Sequence, residues 1–268
     1  VDRLVSTQRS SNKHYSLTQR KILRRILRLA DEIVLNSNSY WEDSSKYLPL
    51  NSKVSVIPNG IDYCQFQKSM TGIPIRTELQ LAKDTFLIGT VGRLSTEKGP
   101  HLLIDAVNHL RGKDVHLVIA GSGPLENSLK RKIKKLCLQD RVHLLGYRYD
   151  VTSILRDLDL YVQASKFEGM PMSVLEAMAI GCPVVATRVG GINQLIRDGI
   201  HGWLVSPGHS TELTRVISTV MNDRVEAKIR SDRAKSKVRR DFSFDEILKL
   251  WMKVIANGNS DYRSQQSG

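Results

Sequence analysis

Long apolar runs are absent from this sequence of 268 residues. No stretch reaches the roughly 18 apolar residues that a membrane-spanning helix needs, so the sequence excludes a span within it. The first residues, 1–3, do not resemble a signal peptide. Cysteine is also scarce: Cys64, Cys137 and Cys182 lie far apart, without the spacing of a zinc or redox motif. These absences exclude a disulfide framework and favour the reducing cytoplasm.

Acidic residues are too few to balance the basic ones, which leaves a formal net charge of +13. The basic residues cluster within 20–28, 130–135 and 228–240. Such clusters can be solvated helix faces, or they can attract anionic lipid or nucleic acid. Nucleic acid is the least favoured partner, because the clusters contain no interleaved aromatic residues and no nucleic-acid motif accompanies them. We therefore expect no nucleic-acid partner.

The basic cluster nearest the amino terminus coincides with an amphipathic pattern. Apolar residues stand at 22, 23, 26, 27, 29 and 30, which is helical spacing with a basic opposite face. The pattern predicts either a surface helix that faces a core or a helix that lies on a membrane. Peripheral contact with an anionic membrane, at its inner face, is therefore one hypothesis.

A regular alternation of strands and helices begins near residue 86. The predicted strands are 86–91, 115–120, 142–145, 160–163, 184–187 and 203–205. The predicted helices between them are 100–110, 125–137, 151–155, 192–196 and one that ends at Gly181. Strands that are apolar almost throughout, separated by helices, predict an α/β fold with a parallel sheet covered on both faces.

Four segments follow from this pattern. Short strands at 33–35 and 54–57 assign residues 1–60 to a separate unit. Residues 61–84 are mixed in character and predict a linker. Residues 85–240 form the main domain, and 241–268 a carboxyl-terminal helix and tail.

Three loops follow strands of the main domain, at 92–99, 121–124 and 167–173. Ligands of such sheets bind outside the carboxyl ends of the strands. Arg93 and Lys98 in the first loop could hold a diphosphate, although cations in loops are more often only solvated. The second loop is a shortened glycine turn that close strand–helix packing would also explain.

The third loop leads into a helix and carries the strongest pattern. The amides of Met172, Ser173 and Val174 would offer a phosphate-binding helix start. Glu176, one turn on, could accept hydrogen bonds from ribose hydroxyls, and Glu168 from hydroxyls of a sugar. Either glutamate alone could be an ordinary surface residue. All three loops on one sheet edge predict a nucleotide-sugar site.

A metal site is not expected. Asp157-Leu158-Asp159 has the spacing of a metal-binding aspartate pair, but it precedes its strand and so lies at the opposite sheet edge. The histidines show no metal-ligand spacing, and only His14 lies in the part of the chain that would face the site from the other unit.

The motifs together resemble those of a known family. Glu168 and Glu176 in Glu-x7-Glu, with Gly169-Met-Pro171 and Ala177-Met-Ala179, are similar to the signature of the retaining GT-B glycosyltransferases of family GT4, the glycosyl transferases of group 1. Further motifs occur in the family's order over about residues 30–220. They are Ile57-Pro-Asn-Gly-Ile-Asp62, Gly92-Arg-Leu94 with Glu97-Lys-Gly99, Gly121-Ser-Gly-Pro124, Val189-Gly-Gly191 and Gly199-Ile-His-Gly202.

The resemblance implies a fold and a set of roles. The fold would be GT-B: a Rossmann-like donor domain preceded by the tail of a second Rossmann-like domain. Catalytic roles would fall to Arg93 and Lys98, which neutralise the leaving diphosphate in place of a metal ion, and to Glu168, which holds the transferred sugar. The implied donor-binding residues are Gly92, Gly121, Gly146, Tyr147, Arg148, Gly169, Met170, Met172, Ser173, Val174 and Glu176, with 146–148 beside the base and Glu176 on the ribose.

The implied reaction moves a hexosyl unit from a nucleotide sugar, in the first place a UDP-sugar, to a glycan or lipid-linked acceptor with retention, in surface polysaccharide assembly. No protein nucleophile, metal or other cofactor is expected. The alternative is a non-catalytic nucleotide-binding regulatory module. Gln194 and His209 depart from the family's common Glu and Asp. The family's first domain is represented only by its tail, so we expect this chain to bind a nucleotide sugar but to transfer little alone.

Overall fold

A small parallel sheet opens the chain in the computed structural model, which describes residues 4–9, 16–39, 48, 53–68 and 72–264, with backbone alone at 64, 67, 68 and 257–264. Its strands pair in sequence order: β1 (Val5–Gln8), β2 (Glu32–Leu35) and β3 (Lys53–Val56). Helix α1 (Leu17–Leu27) begins at a capping box in which Ser16 and Gln19 exchange hydrogen bonds. Its buried Leu27 packs with Ile33 and Leu35 on one face of this sheet.

A six-stranded parallel sheet organises the rest of the chain. Its strands are β4 (Phe86–Val91), β5 (Val115–Ala120), β6 (Val142–Gly146), β7 (Leu160–Gln163), β8 (Val184–Thr187) and β9 (Trp203–Val205). The spatial order is β6-β5-β4-β7-β8-β9, and all neighbours are parallel. This is the doubly wound order, in which the chain reverses direction across the sheet between β4 and β7. A crevice outside the carboxyl ends of these two strands is the expected ligand position.

Further helices of the described chain connect and cover the strands. They are α2 (Tyr63–Lys68), α3 (Ile75–Glu78), α4 (Pro100–His109), α5 (Glu126–Lys135), α6 (Val151–Asp157), α7 (Met172–Ile180), α8 (Ile192–Leu195), α9 (Ser210–Asn222), α10 (Arg224–Asp241) and α11 (Phe244–Ser264). Within the described ranges, no helix combines the length and the apolar character that crossing a bilayer requires.

The six-stranded sheet separates two apolar cores. In β5, Val115, Leu117 and Ile119 point to a core shared with α4, α5 and α9, whereas Val118 and Ala120 point to a core shared with α6, α7 and α10. A strand that buries both faces must be apolar at successive positions, which is the pattern that the sequence shows. The layers are therefore helix, sheet and helix, with the carboxyl ends of the strands left open.

Helix α11 returns from the large sheet to the small one. Its Ile247 and Val254 pack against Val34 and Ile57, on the face opposite α1. The start of α11 is held to the segment after β3 by a hydrogen bond from the Phe244 amide to the Ile61 carbonyl, at 2.9 Å. The last helix thus completes the first sheet.

The predicted α/β fold with a parallel sheet is confirmed, and five of the six strands predicted for the main domain have the observed bounds. Strand β1 was not predicted. The predicted linker, 61–84, contains α2 and α3, and Ile75 is buried in the core that α6 and α7 share. Parts of the predicted terminal segments, including His14, lie outside the described residues. The division into domains remains our interpretation.

The aspartate pair at 157 and 159 lies at the amino-terminal edge of the sheet, away from the loops that follow the strands. Asp159 accepts hydrogen bonds from the Leu87 amide at 2.7 Å, from Arg76 at 2.5 Å and from Arg224 at 2.9 Å. Both carboxylate oxygens are therefore occupied, and the residue joins β4, α3 and α10.

Asp159→Asn should destabilise the protein by about 2 kcal/mol or more, because three donors, two of them cationic, lose their charged acceptor. Urea unfolding measures this loss. Asp84→Asn is the matched control, since Asp84 is exposed and makes no hydrogen bond in the described part of the chain. Equal stability of the two variants would contradict a structural role for Asp159.

Candidate active site

The loops that follow β4, β5, β6 and β7 lie side by side at the carboxyl edge of the large sheet. Main-chain hydrogen bonds join them: Gly92 donates to Ala120 at 3.0 Å, Gly121 to Gly146 at 2.7 Å, and Lys166 to Glu97 at 2.7 Å. The predicted site loops are thus held together by their backbones.

Two glycines permit this close approach. A Cβ atom on Gly121, whose φ is +140°, would lie 1.9 Å from the Gly92 carbonyl oxygen. Gly191 donates its amide to the Gly169 carbonyl at 2.7 Å, and a Cβ there would lie 1.9 Å from that oxygen. Because no side chain fits at either position, these glycines keep the loops after β4 and β7 in place.

Glu168 is the centre of the loop after β7. It is only 6% exposed, and its Oε1 accepts hydrogen bonds from Lys98 Nζ, Gln163 Nε2 and Ser165 Oγ, each at 2.6 Å. No donor among the described residues reaches Oε2. Two of the predicted catalytic residues, Lys98 and Glu168, therefore form an ion pair, with one carboxylate oxygen left for a ligand.

A buried polar chain continues behind Glu168. The Tyr161 hydroxyl donates to Gln163 Oε1 at 2.7 Å and also lies beside the Ser173 hydroxyl. Burial raises the pKa of Tyr161 above its usual value, so the hydroxyl stays protonated and can donate. The chain thereby links Glu168 to the first turn of α7.

These supporting residues were not predicted from the sequence. Tyr161 and Gln163 belong to β7, and Ser165 follows two residues later. Their alternation places them on one face of the strand, but period-two spacing alone predicts only a strand. The available signal was a run of polar groups, Gln163 and Ser165, at the end of an otherwise apolar strand.

The start of α7 is open to a ligand. Pro171 precedes the helix without a side-chain cap, so the first amides have no such partner. Met172 is partly exposed and Ser173 half-buried, whereas the Val174 side chain is buried in the core, so only its amide fits the predicted role. Gly169 and Met170 approach through their backbones, and Asn59 donates to the Met170 carbonyl at 2.9 Å.

Glu176 lies one turn into the same helix. Its carboxylate is half-buried and accepts no hydrogen bond from the described residues. Loss of hydration raises its pKa above the ordinary glutamate value, because burial disfavours the charged form. A partly buried carboxylate without a donor is suited to receive hydroxyl groups from a ligand.

A cavity of about 510 Å³ occupies the space beside the first three loops. Predicted residues that line it are Gly92, Arg93, Gly121, Tyr147 and Arg148. Arg93 is exposed and has no ion-pair partner within the described ranges. It is therefore available to an anionic group at the mouth of the cavity.

Arg148 differs from Arg93 because its charge is already satisfied. Its guanidinium donates to both oxygens of Asp150 at 2.7 Å and to Glu78 at 2.8 and 2.9 Å. These carboxylates raise the pKa of Arg148 above its ordinary value. The residue shapes the cavity wall and fixes the loop that begins at Gly146, rather than offering a free cation.

The described residues contain no group of three histidine, cysteine, aspartate or glutamate side chains that could hold a metal ion. Four histidines, His101, His116, His143 and His201, are partly buried, and burial lowers the pKa of each. None of them lines the cavity beside Arg93.

Comparison with known proteins identifies relatives of this chain. The family model described as "Glycosyl transferases group 1" matches residues 73–239. An Escherichia coli relative, UDP-Gal:alpha-D-GlcNAc-diphosphoundecaprenol alpha-1,3-galactosyltransferase, is 32% identical over 65% of this chain and 46% of its own length. The lipopolysaccharide core biosynthesis mannosyltransferase LpsB of Rhizobium meliloti is 29% identical over 83% of this chain and 63% of its own length. The chain spans about half the length of the curated relatives it matches.

A solved structure has a similar fold. Anabaena HepE, in complex with UDP and glucose, superposes with a TM-score of 0.85 and 26% identity. The match covers 95% of this chain and 71% of that one. The similarity extends over both sheets.

The unpartnered carboxylate of Glu176 leads to a prediction about pH. Glu176→Gln should make the ligand-free protein more stable at pH 7, because it removes the cost of holding a half-buried charge. Below the unfolded-state pKa of about 4.3, the Glu176 carboxylate of the wild type is protonated in both the folded and the unfolded state. The wild type loses stability relative to the variant only as the pH rises from there through the raised folded pKa.

Unfolding free energies of the two proteins across this pH range measure the effect. Glu246→Gln is the control, since the Glu246 side chain is 44% exposed and has only a surface pair with Lys249. A difference between wild type and Glu176→Gln that does not grow with pH would contradict the assignment.

Proposed function

This chain belongs to the glycosyl transferases of group 1. From that membership we propose that it binds a nucleotide sugar, in the first place a UDP-sugar, and takes part in transferring the sugar to an acceptor. The observation that carries the proposal is the meeting of four loops where the strand order reverses, with Arg93, the Lys98–Glu168 pair and Glu176 at one edge. The likeness to HepE, whose structure contains UDP, supports the choice of nucleotide.

The diphosphate is assigned to the cations and to the helix start. Arg93 is free to bind it, and the amides of Met172 and Ser173, which no side chain caps, add partial positive charge. Lys98 is held by Glu168 at 2.6 Å and would share its remaining donors with the leaving phosphate. This assignment gives the developing charge to protein groups instead of a metal ion.

The hydroxyl groups of the donor are assigned to the glutamates. Glu176 would accept from the ribose, which would supply the donors that its carboxylate lacks. Glu168 would use Oε2 to hold the transferred sugar, because Oε1 is occupied. The base would lie in the cavity against Tyr147 and the backbone of 146–148, with Arg148 keeping that wall rigid.

The proposed transfer retains configuration at the sugar carbon, as in the GT4 type. The bond from the anomeric carbon to the phosphate oxygen breaks, and a bond to the acceptor hydroxyl oxygen forms on the same face. The acceptor proton passes to the departing phosphate. Glu168 is held by three donors, which suits it to stabilise positive charge on the sugar rather than to attack it.

The acceptor is proposed to be a glycan or a lipid-linked sugar in surface polysaccharide or glycolipid assembly in the cytoplasm. The names of the relatives support this class, since the Escherichia coli protein acts on a diphosphoundecaprenol-linked sugar.

Peripheral membrane contact belongs to the same proposal. On α1 and the turn after it, Ile22, Ile26 and Leu29 are more than half exposed. Basic residues flank them at Lys21, Arg25 and Arg28.

UDP should bind this chain more tightly than GDP or ADP. At a concentration of 100 times its dissociation constant it should stabilise the fold by about 2.7 kcal/mol. Arg93→Gln should weaken UDP about tenfold or more while leaving uridine unchanged, because only the diphosphate contacts the cation. Calorimetric titration measures both affinities.

Arg131→Gln on α5 is the matched control, since Arg131 is exposed and makes no ion pair in the described part of the chain. Equal UDP affinity in wild type and Arg93→Gln would remove Arg93 from the site. Absence of binding by any nucleoside diphosphate would overturn the proposed function.

Vesicles that contain phosphatidylglycerol should retain the protein in flotation, and phosphatidylcholine vesicles should not. The double variant Arg25→Gln, Arg28→Gln should lower the partition coefficient about thirtyfold, at about 1 kcal/mol for each charge. The double variant Arg131→Gln, Lys134→Gln makes the same charge change on α5. Retention that is indifferent to lipid charge would eliminate the membrane contact.

A further inference from the structure

A further cavity, of about 360 Å³, lies between the turn that precedes β9 and the second half of α10. The turn contributes Ile200 and His201, and α10 contributes Asp232, Arg233, Ser236, Lys237 and Arg240. None of these residues lines the cavity beside Arg93, and none is among the site residues predicted from the sequence. The cavity is therefore separate from the proposed donor site.

The polar residues of the cavity share one face of α10. Intervals of three and four residues, which place side chains on one helical face, separate Arg233, Ser236, Lys237 and Arg240. Ala234 and Val238 point instead into the core that α7 shares. Part of the basic cluster within 228–240 therefore lines a cavity and is more than a solvated helix face.

Positive charge is in excess around this cavity. Lys237 and Arg240 both pair with Asp241, but these pairs use only some of their N–H groups. Arg233 is exposed and has no ion-pair partner in the part of the chain that the structure describes. The carboxylate in the lining, Asp232, already pairs with a lysine of the preceding helical turn. An anion that enters would meet three cations and no unpaired carboxylate among the described lining residues.

His201 adds a neutral hydrogen-bond donor. The Arg197 amide donates to its Nδ1 at 3.2 Å, so the proton of the neutral ring is on Nε2. Burial, together with the charges of Lys237 and Arg240, lowers the pKa of His201 below its ordinary value, and the ring is therefore neutral at pH 7. Its Nε2–H and the Ser236 hydroxyl have no acceptor among the described residues, so both can donate to a ligand.

Contacts outside the cavity hold its two sides together. Arg230 of α10 donates to the Gly202 carbonyl at 3.3 Å, and its guanidinium carbon lies 4.3 Å from the centre of the Trp203 ring. These contacts fix α10 against the segment that enters β9. The donors are therefore in place before a ligand arrives, which lowers the cost of binding.

We propose that this cavity binds a phosphate group. Its cationic ligands are Arg233, Lys237 and Arg240, and its neutral donors are His201 and Ser236. Phosphate oxygens accept several hydrogen bonds at once, and arginine and lysine are the side chains that bind them most often. The proposal does not depend on the proposed function, because the cavity shares no residue with the donor site.

Titration with inorganic phosphate tests the proposal at the site itself, through the Cε1 proton resonance of His201. His201→Gln assigns this resonance, which should shift saturably in the wild type. Arg233→Gln should raise the dissociation constant about tenfold, since a charged hydrogen bond is lost. Arg131→Gln makes the same charge change on α5 and should leave the affinity unchanged.

Ser236→Asp tests the cavity without removing a cation. A carboxylate at this position repels phosphate, so saturable binding should disappear, whereas the neutral Ser236→Asn should retain it. Because Ser236 is exposed, both variants should unfold at the temperature of the wild type.

Flotation distinguishes a lipid headgroup from free phosphate as the source of the phosphate group. The double variant Arg25→Gln, Arg28→Gln, which weakens the proposed contact of α1, is the starting protein, with vesicles that contain phosphatidylglycerol. A further loss of retention when Ser236→Asp is added supports the site with a headgroup as its ligand. Unchanged retention, with inorganic phosphate still bound by the wild type, supports the site with free phosphate as its ligand.

A phosphate-dependent shift of equal affinity in wild type and Ser236→Asp would overturn the proposal, and so would absence of a saturable shift. UDP binding through Arg93 enters neither measurement. Failure of the phosphate site therefore leaves the proposed function intact, and absence of UDP binding leaves the phosphate site intact.

Discussion

The ion pair between Lys98 and Glu168 is the interaction on which the arrangement of the site depends. A carboxylate as buried as that of Glu168 is costly unless donors surround it. Its three donors come from the loop after β4, from β7 itself and from the loop after β7. Because all three donors bind one carboxylate, they hold together the loops after β4 and β7, between which the strand order reverses. The Tyr161 hydroxyl extends this constraint to α7, so the helix start and the glutamate keep a fixed relation before any ligand arrives.

Most of the large sheet could be predicted from the sequence because its strands bury both faces. A short apolar run such as 184–187, placed between two helices, is typical of a buried parallel strand. Strand β1 was missed because Val5–Gln8 is short and half polar, so its pattern resembles a loop. The sequence predicted a linker at 61–84 because α2 and α3 are shorter than a periodic pattern needs, and Gly72 and Pro74 lie between them.

The position of a candidate residue was predictable where it lies in a loop or helix start directly after a strand, whereas its role stays a prediction. Arg93, Glu168 and Glu176 are of this kind. Residues that act through a distant partner were not predictable. Arg148 was expected to lie beside the base, but its ion pairs with Asp150 and with Glu78, distant in sequence, could not be predicted. Gln163 and Ser165 support the site only through the Glu168 carboxylate that they contact, and local sequence does not encode that contact.

The return of α11 to the small sheet has a consequence for the order of assembly during synthesis. Val34 and Ile57 leave the ribosome well before their cover, Ile247 and Val254, is synthesised. The six-stranded sheet lies between them in sequence and can form from contacts within itself. One apolar face of the small sheet therefore stays uncovered until α11 emerges. During that interval the face is exposed to aggregation and to chaperones.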